Sequence, residues 1–208
     1  MKNTIRWTIG AAVILVLATI GVTREGFLQS HLWGQTQESI SMPVTTAEIL
    51  IKDWPAASQY IARVMIEKYG QPGDFNDHAL VWRNNGPWKR TIVYRTAPKS
   101  ASDGMQDSVL EQTVHYRVPL SKFEELSRFD SRVVANRSRN ELASISDSEK
   151  MNFLALNLAD EIVIGWRNAA EARFLHDQVS KLAQSGKSSP YLEGLQFRPD
   201  KESGEENE

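Results

Sequence analysis

The sequence contains no cysteine. This absence excludes disulfide bridges, thiolate catalysis and zinc sites built on cysteine ligands, as well as an acylated lipoprotein anchor. A domain without such cross-links depends on its hydrophobic core. The formal net charge of −2 is close to neutral, so the strongly basic face of a nucleic-acid-binding protein is not expected.

Recognised catalytic motifs are also missing. The four histidines are scattered without an HExxH or other paired spacing, and there is no glycine-rich phosphate loop. Neither a Gly-x-Ser-x-Gly elbow nor a Ser-x-x-Lys motif occurs. We therefore expect no cofactor.

The one long uncharged run lies near the N-terminus. Lys2 and Arg6 precede an uncharged stretch at residues 7–23, which ends at Arg24 and Glu25. This layout predicts a signal anchor or signal peptide over residues 1–26. An uncleaved anchor is favoured because the small-residue cleavage pattern is poor, while a cleaved signal and a buried core helix remain alternatives. The basic residues before the run place the N-terminus inside and the rest of the chain outside.

Composition divides the remainder of the chain into three parts. Residues 27–44 lack a hydrophobic period and are predicted to be a tether, and residues 199–208 form an acidic tail that is expected to be disordered. Residues 45–198 between them are predicted to be one globular domain. The protein is thus expected on the periplasmic side of an inner membrane, or secreted if the N-terminal segment is cleaved.

The first half of the predicted domain changes from a helical to a strand-like period. A short helix to about Asp53 is followed by a helix that starts at Pro55 and ends at Gly70. Residues 79–83 and 90–96 are predicted to form a hairpin around residues 84–89, whose Asn-Asn-Gly sequence accepts positive φ. A third strand shows apolar and polar alternation over residues 110–118.

The second half of the predicted domain is expected to contain a further hairpin and three helices. Residues 132–137 and 141–146 form the hairpin, the apolar run at residues 151–159 belongs to a central buried helix, and residues 191–197 are a last strand. Capping boxes are predicted at Ser121 with Glu124, Ser146 with Glu149, and Asn168 with Glu171. The order predicts an α+β domain, with an antiparallel sheet of about four to six strands and helices packed on one face.

Three blocks of sequence resemble a family of uncharacterised bacterial exported or membrane-anchored proteins. The blocks are residues 67–72 (EKYGQP), 81–90 (VWRNNGPWKR) and 151–159 (MNFLALNLA). The likeness spans roughly residues 54–197. It implies a bacterial protein that faces the cell envelope, and it implies no activity because none is assigned to the family.

One cluster of side chains with oxygen and nitrogen atoms could bind a metal ion. Asp74, Asn76, Asp77 and His78 are closely spaced, but their pattern lacks the rest of a calcium-binding loop. Asx hydrogen bonds within a turn explain the same residues. We therefore favour a turn and expect no metal.

Catalysis would have to be assembled from distant residues. His115 lies on the polar face of the alternating strand, and Asp160 and Glu161 lie near the end of the apolar helix. These residues support an alternative hypothesis of a cryptic envelope hydrolase or glycan-acting enzyme. An ordinary surface histidine and solvated or ion-paired carboxylates are the favoured explanation of these residues.

The first hairpin carries the strongest binding signal. Residues 79–99 contain five cations and no acid, and aromatic residues interleave with the cations. Trp, Tyr and Arg dominate many binding interfaces, whereas a strand pair with core aromatics gives the same pattern. The candidate binding residues are Arg83, Asn85, Trp88, Lys89, Arg90, Arg95, His115 and Arg117.

These observations favour a non-enzymatic, membrane-tethered binding or assembly module. Its expected partner is an unidentified protein or anionic envelope component that docks on the hairpin. A purely structural, self-associating domain is a further alternative. The sequence leaves the oligomeric state open.

Overall fold

The computed structural model describes residues 46–98 and 107–200, which all belong to one compact unit. The predicted anchor, the tether and the acidic tail beyond residue 200 lie outside these residues. No helix in the described ranges has the length and apolar character needed to cross a membrane.

Helices enclose a run of strands in chain order. The helices are α1 (Thr46–Leu50), α2 (Ala56–Tyr69), α3 (Phe123–Phe129), α4 (Glu149–Val163), α5 (Ala169–Gln184) and α6 (Pro190–Glu193), with 3-10 turns at Ile51–Asp53 and Leu120–Lys122. The strands are β1 (Asp74–Asn76), β2 (Ala79–Asn85), β3 (Trp88–Tyr94), β4 (Leu110–His115), β5 (Val133–Asn136) and β6 (Glu141–Ser146).

All six strands form one antiparallel sheet in the order β1-β2-β3-β4-β6-β5. Val93 pairs with Leu110, and Leu110 pairs with Ser146, so these three residues lie on the same face. Because side chains alternate along a strand, this register places Leu80, Val114 and Leu142 on that face too. The predicted α+β class and antiparallel sheet are confirmed.

Helices cover this apolar face. Helix α2 packs on β2 and β3, while α4 packs on β4, β5 and β6. Ten of the fifteen residues of α4 are buried, which confirms it as the central helix rather than a surface helix with one apolar stripe. Helices α3 and α5 pack against each other and against α4, and α3 also contacts β5.

Several predicted boundaries are confirmed by backbone geometry. Helix α2 ends before Gly70, whose φ of 77° is a left-handed value that glycine adopts at little cost. The capping box at the start of α5 is present, with the Asn168 side chain accepting from two backbone N–H groups and Glu171 bonding back to the backbone of Asn168. The β5–β6 hairpin forms as expected.

Other predictions of local structure are wrong. Helix α3 begins at Phe123 after a 3-10 turn and has no side-chain cap from Ser121. Ser148, not Ser146, is the N-cap residue of α4, and it makes no capping bond through its side chain. Residues 191–197 are not a strand, because Pro190–Glu193 forms a short helix. Strand β1 was not predicted.

Candidate functional site

The β2–β3 hairpin is tighter than the sequence predicts. The strands run to Asn85 and from Trp88, so only Gly86 and Pro87 connect them. Asn84 and Gly86 have φ values of 51° and 61°, which confirms the predicted positive φ in this turn. These two positive φ angles set the backbone path of the turn.

Trp88 is not an exposed aromatic anchor. Its side chain is 1% exposed and stacks on Phe153 of α4, with ring centroids 4.8 Å apart. The indole Nε1–H donates to Glu149 Oε1 at 2.7 Å. The expectation that a partner contacts Trp88 directly is therefore wrong, since helix α4 already occupies the surface of this ring.

Glu149 connects the hairpin to two helices and the central strand. Besides the indole of Trp88, its carboxylate accepts hydrogen bonds from Lys68 Nζ and the Tyr69 hydroxyl of α2. Gln112 Nε2 of β4 donates to the same Oε1 atom at 3.1 Å. We call Glu149 and these four donors the Glu149 hub. It joins α2, β3 and β4 to the first residue of α4.

The electrostatics of the hub favour the ionised carboxylate. Burial alone would raise the pKa of Glu149, but the hydrogen bonds from Lys68, Tyr69 and Trp88 outweigh it and hold the pKa below its usual value. Burial and the neighbouring carboxylate raise the pKa of the Tyr69 hydroxyl, so it remains a proton donor. The charge is paired and hydrogen-bonded, as a buried carboxylate requires.

The hub continues into a buried polar chain. Asn152 Nδ2 donates to Gln112 Oε1 at 3.0 Å, and Asn85 Nδ2 donates to Thr91 Oγ1 at 3.0 Å. Gln112 interrupts an otherwise apolar strand face, and its partners explain why burial is tolerated. Gln112 Nε2 also donates to Thr91 Oγ1 at 3.5 Å, so this chain ties the end of the hairpin to the middle of the sheet.

The cations of the hairpin are neutralised by acids from other parts of the chain. On the face of the sheet opposite the helices, Lys89 lies 3.1 Å from Glu141, while Arg90 lies 3.6 Å from Glu111 and 3.5 Å from Glu141. Burial would raise the pKa of Glu141, but hydrogen bonding and the charges of Lys89 and Arg90 lower it. The local excess of positive charge in the sequence is thus largely compensated in the fold.

His115 belongs to the same ion-paired face. Lys89 Nζ lies 3.4 Å from His115 Nδ1, and His115 pairs in register with Glu141 of β6. The structure therefore brings together three predicted binding residues, His115, Lys89 and Arg90.

Two other candidate residues lie apart from this face. Arg95 donates from Nη2 to the Asp53 carbonyl at 3.2 Å, beside the first helical turns. Arg117 follows β4 and donates its backbone N–H to Asp200 Oδ2 at 2.7 Å. Neither arginine contributes to the tip of the hairpin.

The tip of the hairpin forms one wall of an open cleft. Its volume is about 790 Å³, and its walls come from the end of α2, the start of β1 and the tip of the hairpin. We call it the tip cleft. It is lined by Lys68, Tyr69, Gln71, Gly73, Asp74, Trp82, Arg83, Asn84, Asn85 and Gly86.

Arg83 is the more exposed of the two cations that line the tip cleft, the other being Lys68. The Arg83 and Asp74 side chains are 65% and 61% exposed, and their charged atoms are 3.1 Å apart. Asn85 is buried beside them, and its Oδ1 has no hydrogen-bond partner among the described residues. An exposed pair of this kind contributes little to stability, so Arg83 can exchange Asp74 for another carboxylate at low cost.

The residues considered for catalysis are separated by the sheet. Tyr116 donates from its hydroxyl to Asp160 Oδ1 at 2.5 Å on the helical side, whereas the preceding residue His115 is on the opposite face. Glu161 accepts hydrogen bonds from Arg167 and Tyr191. Burial raises the pKa of Asp160, although the bond from Tyr116 opposes this effect. His115, Asp160 and Glu161 do not form one site.

The segment proposed as either a metal site or a turn forms a turn. Asn76 Oδ1 accepts hydrogen bonds from the N–H groups of His78 and Ala79, at 2.8 and 3.0 Å. Asp74 is paired with Arg83 instead of facing Asn76. Across residues 46–98 and 107–200, no group of three or more histidine or acidic side chains is arranged to hold a metal ion.

Comparison with known proteins gives no further guide to the site. The chain matches no protein-family model, no curated protein and no solved structure. The resemblance to exported bacterial proteins therefore remains a prediction.

Sequence reasoning missed the residue at the centre of the site. Glu149 fits a capping box with Ser146, and that local pattern concealed its role in the core. The available signal was Gln112, a polar residue on an apolar strand face that required a buried partner.

Proposed function

We propose that the protein is a membrane-tethered, extracytoplasmic binding module that docks an acidic segment of a partner protein in the tip cleft. The observation that carries this proposal is an exposed arginine, Arg83, on a turn whose base is fixed by the buried Glu149 hub. A rigid base lowers the entropy lost on binding.

The chemistry of the cleft favours a carboxylate-bearing partner. Arg83 presents a planar set of donors that matches a carboxylate, and its present partner Asp74 is equally exposed. Lys68 adds a second cation on the helical wall of the cleft. An incoming acidic side chain replaces Asp74 at Arg83 and leaves the core unchanged.

The ion-paired face of the sheet is a weaker candidate for an anionic partner. Lys89 and Arg90 are already held by Glu141, and a competing anion would have to break these half-buried pairs. Leaving Glu141 without its cations would be costly. The tip cleft imposes no such cost.

The proposal is tested by crosslinking and pull-down of the full-length protein in cells. Arg83→Glu reverses the charge at the tip, and Arg139→Glu makes the same change at the exposed turn of the β5–β6 hairpin. Trp88→Ala is unsuitable because it removes a core residue. We expect a protein partner that is captured by the wild type and by Arg139→Glu but not by Arg83→Glu.

Other outcomes correct specific parts of the proposal. Equal capture by all three proteins, or capture by none, refutes docking at Arg83. If Arg83→Glu fails to capture an anionic glycan or lipid that the other two proteins capture, the site is supported but a protein partner is contradicted. Selective loss of a second copy of this chain identifies self-association.

A further inference from the structure

A second cavity is lined by other residues than those of the Glu149 hub. Its volume is about 450 Å³, within the range of small-molecule sites. It is bounded by β6, the junction between α3 and β5, the first turns of α4, and α5. None of the hairpin residues discussed above contributes to its walls.

Two buried serines in this cavity have no hydrogen-bond partner for their hydroxyls. Ser108 and Ser144 are 2% and 1% exposed, and both line the cavity. Among the described residues, no hydrogen bond to either hydroxyl is formed. Neither hydroxyl oxygen is among the fully buried unpaired atoms of the described residues, so both are open to the cavity, where a ligand or water can supply the partner.

The start of α4 contributes Lys150 and its first backbone N–H groups to the same wall. Ser146, Ser148, Lys150 and Met151 line the cavity around the first turn of this fifteen-residue helix. The side chain of Ser148 does not cap the helix, and the Ser146 hydroxyl donates to the Ser148 carbonyl instead. The first N–H groups of the helix therefore lack a capping side chain at a positive dipole end.

The charged lining of the cavity holds two acids, Asp130 and Asp147, and two bases, Arg132 and Lys150. The carboxylate of Asp130 is already bound by Arg132, through bonds of 2.9 Å from Nε and 2.7 Å from Nη2. His176 lies deeper in the wall, packed edge-on against Phe129, and Lys150 is at the rim. The Asp147 carboxylate accepts the Ser148 hydroxyl at 3.0 Å, so both acids are bound within the protein. The Ser108 and Ser144 hydroxyls, backbone N–H groups of α4 and the Lys150 ammonium group remain as donors.

The remainder of the wall is apolar. Ile145, Met151, Ala155 and Ala183 contribute carbon surface beside the polar groups. A ligand that fits both parts has an acceptor-rich group at one end and a small hydrophobic body at the other. A neutral sugar fits less well because its own hydroxyl donors would need acceptors.

We propose that this cavity binds a small amphipathic oxyanion, with its phosphate or carboxylate at Ser144, Lys150 and the first turn of α4 and its apolar body against Ile145 and Ala183. This site is independent of the tip cleft, and its ligand is not the proposed acidic protein segment.

Calorimetric titration of the full-length protein tests this site with three probes. Phenyl phosphate supplies both parts of the ligand, inorganic phosphate supplies only the anion, and phenol supplies only the apolar body. We expect saturable binding of phenyl phosphate that is at least tenfold tighter than that of either other probe. Absence of saturable binding, or equal binding of phenol, refutes the proposal.

Two variants locate the binding. Ser144→Val removes the hydroxyl and narrows the cavity, while Lys150→Glu reverses the exposed charge at its rim without altering the core. We expect each variant to weaken the binding of phenyl phosphate at least tenfold. Lys187→Glu, a charge reversal elsewhere on the surface, is the control and should leave the affinity unchanged. Lys150→Glu alone decides the result if Ser144→Val does not fold. Unchanged affinity in the folded variants refutes this location.

Arg83→Glu separates this site from the proposed function. It reverses charge at the tip cleft and should leave phenyl phosphate binding unchanged. Loss of partner capture together with retained phenyl phosphate binding supports both sites, and each can fail without the other.

Discussion

Replacing Glu149 by alanine should destabilise the protein by about 3 kcal/mol. The carboxylate is bonded to Lys68, Tyr69, Trp88 and Gln112, and its side chain is 10% exposed. Removing one partner of a buried ion pair costs roughly 3–5 kcal/mol, and each buried donor left unpaired costs roughly 1–3 kcal/mol. We place the loss at the low end because Lys68 is exposed enough to be solvated by water.

Urea unfolding of the full-length chain, followed by circular dichroism, measures this loss. Glu124→Ala is the matched control, because Glu124 also lies in the first turn of a helix and pairs with Arg128, but its side chain is 78% exposed. An exposed pair contributes roughly 0–1 kcal/mol. A loss for Glu149→Ala no greater than that for Glu124→Ala refutes the hub as a source of stability.

The pH dependence provides a second test of the same residue. The folded-state pKa of Glu149 is below its value in the unfolded chain, so its contribution is fully present above the unfolded pKa of about 4.3. The contribution is lost as the pH falls through the folded pKa. The difference in stability between the wild type and Glu149→Ala should therefore shrink below about pH 4. A difference that stays constant down to pH 3 contradicts an ionised hub.

Three further substitutions test separate contacts. Trp88→Phe retains an aromatic ring but removes the donor to Glu149, and it should cost about 1–2 kcal/mol in urea unfolding; no change would show that the indole bond is dispensable. Gly86→Ala places a Cβ 3.2 Å from the Tyr69 ring at a φ of 61°, so we expect a loss of about 1–2 kcal/mol, and a more stable variant would contradict this strain. Asn168→Ala removes the cap of α5 and should lower stability by about 1 kcal/mol, which a thermal melt detects; an unchanged melting temperature would refute the cap.

Local sequence was sufficient where a structural element depends on its immediate neighbours. The turn at Asn84 and Gly86, the end of α2 at Gly70 and the capping box at Asn168 all follow from the conformational preferences or hydrogen bonding of nearby residues. The apolar run of α4 indicated burial directly. These features supported the α+β prediction because period and turn signals are properties of short segments.

Tertiary structure decided the role of each charged and aromatic residue. Trp88 and Arg83 both belong to the aromatic and basic segment that predicts binding, yet Trp88 stacks on Phe153 and Arg83 remains exposed. Glu141 of β6 neutralises Lys89 of β3 across the one intervening strand β4, which no local charge count includes. Burial and electrostatic pairing depend on contacts between distant segments, so the sequence established the elements and the fold determined which residues remain available for binding.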